Sequence, residues 1–175
     1  MISATKAGKI LKFEHIRHKP PSELKQEREI VIACCPLRSH VNLSTIIRMA
    51  GCSGITEVIA TGNAKINKTI ARDGADNVNL TVKNSLPPVL KKLKQDGYVL
   101  VGLEQTTNSS ILSDFKFPRK CALVVGSERE GLSDDCLALL DAVVEIPVWG
   151  MPYSYNVATA TSLALYEYCR QYPEG

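Results

Sequence analysis

Apolar positions along this chain fall into short unbroken runs, each followed by a segment long enough for a helix. The first run, Glu29-Ile30-Val31-Ile32-Ala33-Cys34-Cys35, closes at Pro36 and reads as a buried strand. Asn42 then predicts the N-cap of a helix that reaches Ala50 and stops at Gly51. Thr56 to Ala60 is the next strand, ending at Thr61-Gly62-Asn63, and Asn77 to Lys83 alternates weakly, as a peripheral strand would. Ser85-Leu86-Pro87-Pro88 opens a helix to about Gln95, with Leu86, Val89, Leu90 and Leu93 on one face. Gly97 to Leu103, Lys120 to Val125 and Ala142 to Val148 are further strands, the last two separated by a helix near Ser133 to Leu140. The pattern finishes with a long helix from Asn156 to about Tyr172.

Strands that are apolar throughout must be covered on both faces. The alternation therefore predicts an α/β fold, a parallel sheet sandwiched between helices. In an open sheet of this kind ligands sit outside the carboxyl ends of the strands. The segments expected there are His40 to Asn42, Glu104 to Asn108, Gly126 to Gly131, and Val148 to Asn156. Their glycine- and asparagine-marked turns predict one composite pocket in which backbone groups hold a nucleotide-like ligand.

Composition narrows the class. A chain of 175 residues with 45% hydrophobic and 22% charged residues suits one globular domain. The net charge of +3 is unevenly placed: seven basic against three acidic residues up to Arg28 leave +4 there and −1 on the rest. Residues 1–28, broken by Pro20-Pro21, are thus expected to form a basic arm in front of a domain spanning 29–175. Such an arm is equally a phosphate-backbone contact or a solvated extension. The six cysteines show no C-x-x-C spacing, and the three histidines are too scattered for a triad or a metal site. With no signal peptide and no apolar stretch near ~18 residues, the reading is a cytoplasmic protein that does not engage a membrane. Neither a G-x-x-x-x-G-K-[ST] loop nor a G-x-G-x-x-G turn occurs, which argues against P-loop and ordinary dinucleotide binding.

Three motifs carry a resemblance. Asn42-Leu43-Ser44-Thr45-Ile46-Ile47-Arg48, followed by Gly51, resembles the first motif of the SpoU (TrmH) branch of the SPOUT RNA methyltransferases. Val125 to Leu132 resembles the second. Ile146-Pro147-Val148 through Ser154-Tyr155-Asn156-Val157, with Tyr166-Glu167 and Arg170-Gln171, resembles the third. The match runs in order from about Ile30 to Tyr172, and Val101 to Thr106 is similar to the eukaryotic-type tRNA guanosine-18 2′-O-methyltransferases. Two residues depart from the family pattern: Ser44 stands where Gly is usual, and Tyr155 where the third motif usually has Leu.

The resemblance implies a C-terminal deep trefoil knot, S-adenosylmethionine bound in it, and a homodimer with each active site near the subunit interface. It implies transfer of a methyl group to a ribose 2′-oxygen of RNA, tRNA guanosine-18 first, with rRNA or another tRNA ribose as the rival substrate. Cofactor contacts would fall on Gly126, Ile146 and Tyr155, with Leu103, Glu104, Gln105, Trp149 and Gly150 as neighbours. The catalytic candidates would be Arg48, Asn42, Glu128, Ser154 and Asn156. In that scheme Arg48 clamps a phosphate and the developing oxyanion, since a guanidinium holds its proton above pH ~12. Glu128 is the carboxylate expected to face it, while Asn42 and Asn156 orient the ribose and the loop. Taken singly, each residue has a plainer role: Arg48 a solvated helix residue, Asn42 and Asn156 caps, Glu128 and Ser154 turn residues. A non-catalytic RNA-binding protein on the same scaffold and a flavodoxin-like nucleotide binder are the readings from other classes.

Overall fold

The computed structural model describes residues 13–16 and 19–175. Four basic residues of the expected arm, Lys6, Lys9, Lys12 and Arg17, lie outside the described residues. Seven strands form one sheet, in the order β3-β2-β1-β6-β4-β7-β5, with every neighbouring pair parallel. They are β1 (Ile30–Cys34), β2 (Glu57–Thr61), β3 (Asn79–Lys83), β4 (Val99–Leu103), β5 (Ser110–Ile111), β6 (Cys121–Val125) and β7 (Ala142–Glu145).

The central strands explain the unbroken apolar runs. In β1, Ile30, Ile32 and Cys34 enter one core, while Val31 and Ala33 enter the other. β6 divides likewise, with Cys121, Leu123 and Val125 on one face and Ala122 and Val124 on the opposite one. The first core lies under α1 (His40–Cys52) and α6 (Val157–Gln171), and the second under α4 (Leu86–Gln95) and α5 (Asp134–Leu137). The sandwich read from the sequence is the fold observed. β3, predicted peripheral, is the edge strand beyond β2.

Several boundaries differ, each for a physical reason. α1 begins at His40 with Ser39 as its N-cap, so Asn42 sits inside the first turn rather than capping it. Gly51 does not stop α1. It lets the helix approach α3 (Gly74–Asn77), because a Cβ there would stand 3.1 Å from the Gly74 Cα. β7 ends at Glu145, short of the predicted Val148, since Pro147 has no N–H for a ladder and the neighbouring β5 is only two residues long. α5 is four residues, not eight, and the short elements α2 (Lys68–Ala71), α3 and β5 carry no periodic signal to predict them. No helix among the described residues is long and apolar enough to cross a membrane.

The N-terminal segment next to the sheet is bound to the body. Arg28 donates to the carbonyls of Ser53 and Tyr172 and lies 5.9 Å from the Tyr168 ring centroid. Lys25 pairs with Glu174 at 2.7 Å. Both side chains were expected to belong to a free basic arm. Their charges are instead spent on fastening residues 25–28 to the body: Arg28 takes up carbonyls left open at the ends of α1 and α6, and Lys25 the carboxylate that follows α6.

Candidate functional site

The turns at the carboxyl edge of the sheet enclose a cavity of about 710 Å³, within the range of small-molecule sites. β4 delivers Leu103 to Thr106, β6 delivers Gly126 to Leu132, β7 delivers Glu145 and Ile146, and the approach to α6 delivers Ser154 to Val157.

The β6 turn is a closed hairpin. Ser127 and Gly131 exchange backbone hydrogen bonds at 3.0 and 3.1 Å, and Gly131 adopts a φ of 63°, where a side chain is strained. Gly126 is required by close approach, since a Cβ there would meet the Gly131 carbonyl carbon at 2.5 Å. Glu104, at the end of β4, accepts from the N–H of Leu132 at 3.1 Å and of Gln105 at 3.0 Å, joining this hairpin to the neighbouring turn. The Gln105 amide donates to the Tyr153 carbonyl at 3.4 Å, which adds the loop before α6 to the same wall.

A chain of polar groups crosses from the hairpin to α6. Glu128 accepts from the backbone N–H groups of Arg38 at 2.9 Å and Ser39 at 3.0 Å, and from the Asn42 amide at 2.9 Å. The Asn42 oxygen accepts from the Asn156 amide at 3.1 Å, and the Asn156 oxygen caps α6 by accepting from Ala158 at 2.9 Å and Thr159 at 3.3 Å. Both amides therefore have a fixed orientation, each donating toward Glu128. Desolvation pushes the Glu128 carboxyl upward, but the donors from Arg38, Asn42 and Ser39 outweigh it and hold the group below its ordinary value.

Of the residues named from the sequence, Leu103, Glu104, Gln105, Gly126, Ile146 and Tyr155 line the cavity, as do Glu128, Ser154 and Asn156. Asn42 stands behind them through its two amide contacts. Trp149 and Gly150 are not brought to the cavity: Trp149 is 87% exposed and nothing approaches a Cβ built on Gly150 within 4 Å. Their loop turns outward between Pro147 and Pro152. Arg48 is also apart. Six residues beyond Asn42 on α1, it is rotated by about 240° and displaced by about 9 Å along the axis. It is exposed, and Glu128, expected to face it, is occupied at the other end of the helix. Sequence reading missed Ser39, Glu145 and Ala160. Ala160 was legible, being one turn past Asn156 on the same helical face.

This arrangement defines a parallel α/β protein with a nucleoside-sized cavity at the carboxyl edge of its sheet, walled by a glycine hairpin and a locked amide–carboxylate chain. The family model described as the SpoU rRNA Methylase family matches residues 29–166, and the chain belongs to that family. Among similar proteins is a tRNA (guanosine(18)-2'-O)-methyltransferase of Saccharomyces cerevisiae, 26% identical over 96% of this chain and 12% of its own length. The Mus musculus tRNA (guanosine(18)-2'-O)-methyltransferase TARBP1 is 43% identical over 47% of this chain and 5% of that protein. The chain thus spans a small fraction of these relatives. The TrmH/SpoU tRNA modifying enzyme of A. aeolicus superposes with a TM-score of 0.80 at 26% identity, covering 86% of this chain and 79% of the other. AviRb, a SpoU methyltransferase from Streptomyces viridochromogenes solved with AdoMet, superposes with a TM-score of 0.73 at 26% identity, covering 87% and 64%.

Proposed function

We propose that this chain is an S-adenosylmethionine-dependent RNA ribose 2′-O-methyltransferase whose preferred substrate is tRNA, at guanosine-18. The observation that carries the reading is the family match over 29–166 together with the cavity built from the motif residues themselves. The names borne by the yeast and mouse relatives support the tRNA substrate, and the AdoMet-bound relative supports the cofactor.

The site's chemistry suits that cofactor. Gly126 lets the β6 turn close tightly on Gly131 and Leu132 at the cavity wall, and the cavity lining holds four carboxylates, Glu104, Glu128, Glu130 and Glu145, against one cation, Arg129. An acidic lining suits a ligand bearing sulfonium and ammonium charges. When bound, S-adenosylmethionine supplies an electrophilic methyl group. Gly126, Ile146 and the turn at Leu103 to Gln105 would hold it through backbone groups, with Tyr155 beside it. Asn156 and Asn42 hold the start of α6 in one geometry, which keeps Ser154, two residues earlier, in the cavity wall. Arg48 acts as a clamp on phosphate and oxyanion rather than as a base, because its proton is held above pH ~12.

Three further elements belong to this reading. The segment from Ile146 to Asn156 threads as a trefoil knot, supported by β7 pairing between β4 and β5 while the following loop returns to the β4 turn through Gln105 and Tyr153. The active form is a homodimer that brings Arg48 of one protomer to the cavity of its partner. Supporting this are Arg48's distance from its own cavity and the exposure of Trp149, Met151, Leu163 and Tyr166. Within residues 1–28, ahead of the catalytic domain 29–175, Lys6, Lys9, Lys12, Arg17 and Lys19 act as the basic arm on RNA while Lys25 and Arg28 fasten it to the body, and the six free cysteines suit the cytoplasm, a reducing compartment.

The test is calorimetry of the folded protein with S-adenosylmethionine, followed by incubation with methyl-labelled cofactor and tRNA carrying or lacking guanosine-18. We expect donor uptake and label on the ribose of that nucleotide. A folded dimer that takes up no donor would overturn the reading, and label on rRNA alone would reassign the substrate.

A further inference from the structure

A second, smaller cleft opens beside the cavity on the same edge of the sheet. It is lined by Leu37, Arg38, His40 and Leu43, which lead into and begin α1, and by Asn63 and Lys65, which follow β2. Its volume is about 160 Å³. That is below the ~300 Å³ at which pockets begin to enclose whole small molecules, so it admits a group rather than a nucleoside.

The two depressions have opposite electrostatics. Four carboxylates and one cation line the cavity, whereas the cleft holds Arg38, Lys65 and His40 and no carboxylate. Neither the Arg38 guanidinium nor the Lys65 ammonium nor the His40 ring makes a hydrogen bond or ion pair among the described residues. Their charges are thus free for a ligand. The Glu128 carboxylate, bonded to the backbone of Arg38 beside the cleft, has its oxygens filled by the Arg38 and Ser39 N–H groups and the Asn42 amide. That junction is the wall between the two depressions. A polyanion is repelled by the cavity and attracted by the cleft, and a phosphate seated there lies across this wall from Asn42 and Asn156.

We infer that the cleft is a phosphate site for the RNA strand, holding a phosphodiester adjacent to the nucleotide whose ribose enters the cavity. Arg38 and Lys65 supply the charge, the Asn63 amide donates a directional hydrogen bond, and Leu37 and Leu43 give the apolar part of the lining. This positions the strand so that sugar, not phosphate, faces the acidic cavity. The inference rests on the reading of the chain as an RNA-acting enzyme, and its test separates the two.

The experiment compares the wild type with Arg38→Ala/Lys65→Ala and with Asn63→Ala. Affinity for a tRNA transcript is measured across a salt series, S-adenosylmethionine affinity by calorimetry, and folding by circular dichroism. We expect the double variant to bind tRNA about tenfold more weakly, with a salt slope shallower by about 1 unit for the lost phosphate contact, and with donor affinity unchanged. Unchanged tRNA affinity and slope in a folded double variant would overturn the site. A parallel titration with pyrophosphate, read by amide chemical shifts, distinguishes the site from the function. Shifts confined to 37–43 and 63–65 support an anion site even where no methyl donor is bound. Their absence in a wild type that does bind donor and tRNA would count against the cleft alone.

Discussion

Glu128 owes its ionised state to donors outside its own turn. The N–H groups of Arg38 and Ser39 and the Asn42 amide hold its pKa below the ordinary 4.5, against a desolvation that works the other way. A carboxyl whose folded pKa lies below its unfolded one stabilises the fold above the unfolded value and loses that contribution as pH falls through the folded value. We therefore expect urea-unfolding midpoints of the wild type to decline from about pH 4.5 downward more steeply than those of Glu128→Gln, whose side chain cannot titrate. Parallel acid limbs for the two proteins would show that Glu128 is not held in this way. None of these donors was legible from the turn itself, because Glu128 and Ser39 are far apart in the chain and nothing local announces their meeting.

α6 depends on a cap that also belongs to the polar chain of the cavity. Asn156 accepts from Ala158 and Thr159, and its amide nitrogen donates to Asn42. Asn156→Ala removes the cap, at about 1 kcal/mol, and leaves the Asn42 oxygen without its donor, bringing the loss to about 2 kcal/mol. Asn156→Asp keeps the acceptor and loses the donor, so about half of that loss should return. Denaturant unfolding of the two variants separates the contributions. This cap was legible, since an Asn before a long apolar-faced helix is a local signal. The start of α1 was not, as Ser39 and the distant Glu128 share the capping there.

Arg28 fastens the segment before β1 to the ends of α1 and α6. Its guanidinium serves the Ser53 carbonyl, just past α1, and the Tyr172 carbonyl, just past α6, while it stacks over Tyr168. Replacing it by Ala strands two helix-end carbonyls and uncovers the ring. The expected loss is about 2–4 kcal/mol, measured by thermal unfolding, with little change in donor affinity because the cavity lies at the opposite end of α6. A residue counted from the sequence as part of a loose basic arm is thus a fastening of the fold. Its role required α1 and α6 to be packed side by side before their carbonyls could share one side chain.

The sequence alone determined six of the seven strands, the doubly covered parallel sheet and the turns that would carry a ligand, because each follows from short-range apolar runs and from the local chemistry of Gly, Pro and Asn. Only the tertiary structure decided which of those turns meet. It joined Glu128 to the start of α1, set Arg48 away from the cavity of its own chain, and brought 37–43 beside Asn63 and Lys65. Such meetings depend on the order of strands in the sheet and on the rotation of each helix against it, and these are settled by packing between segments distant in the chain.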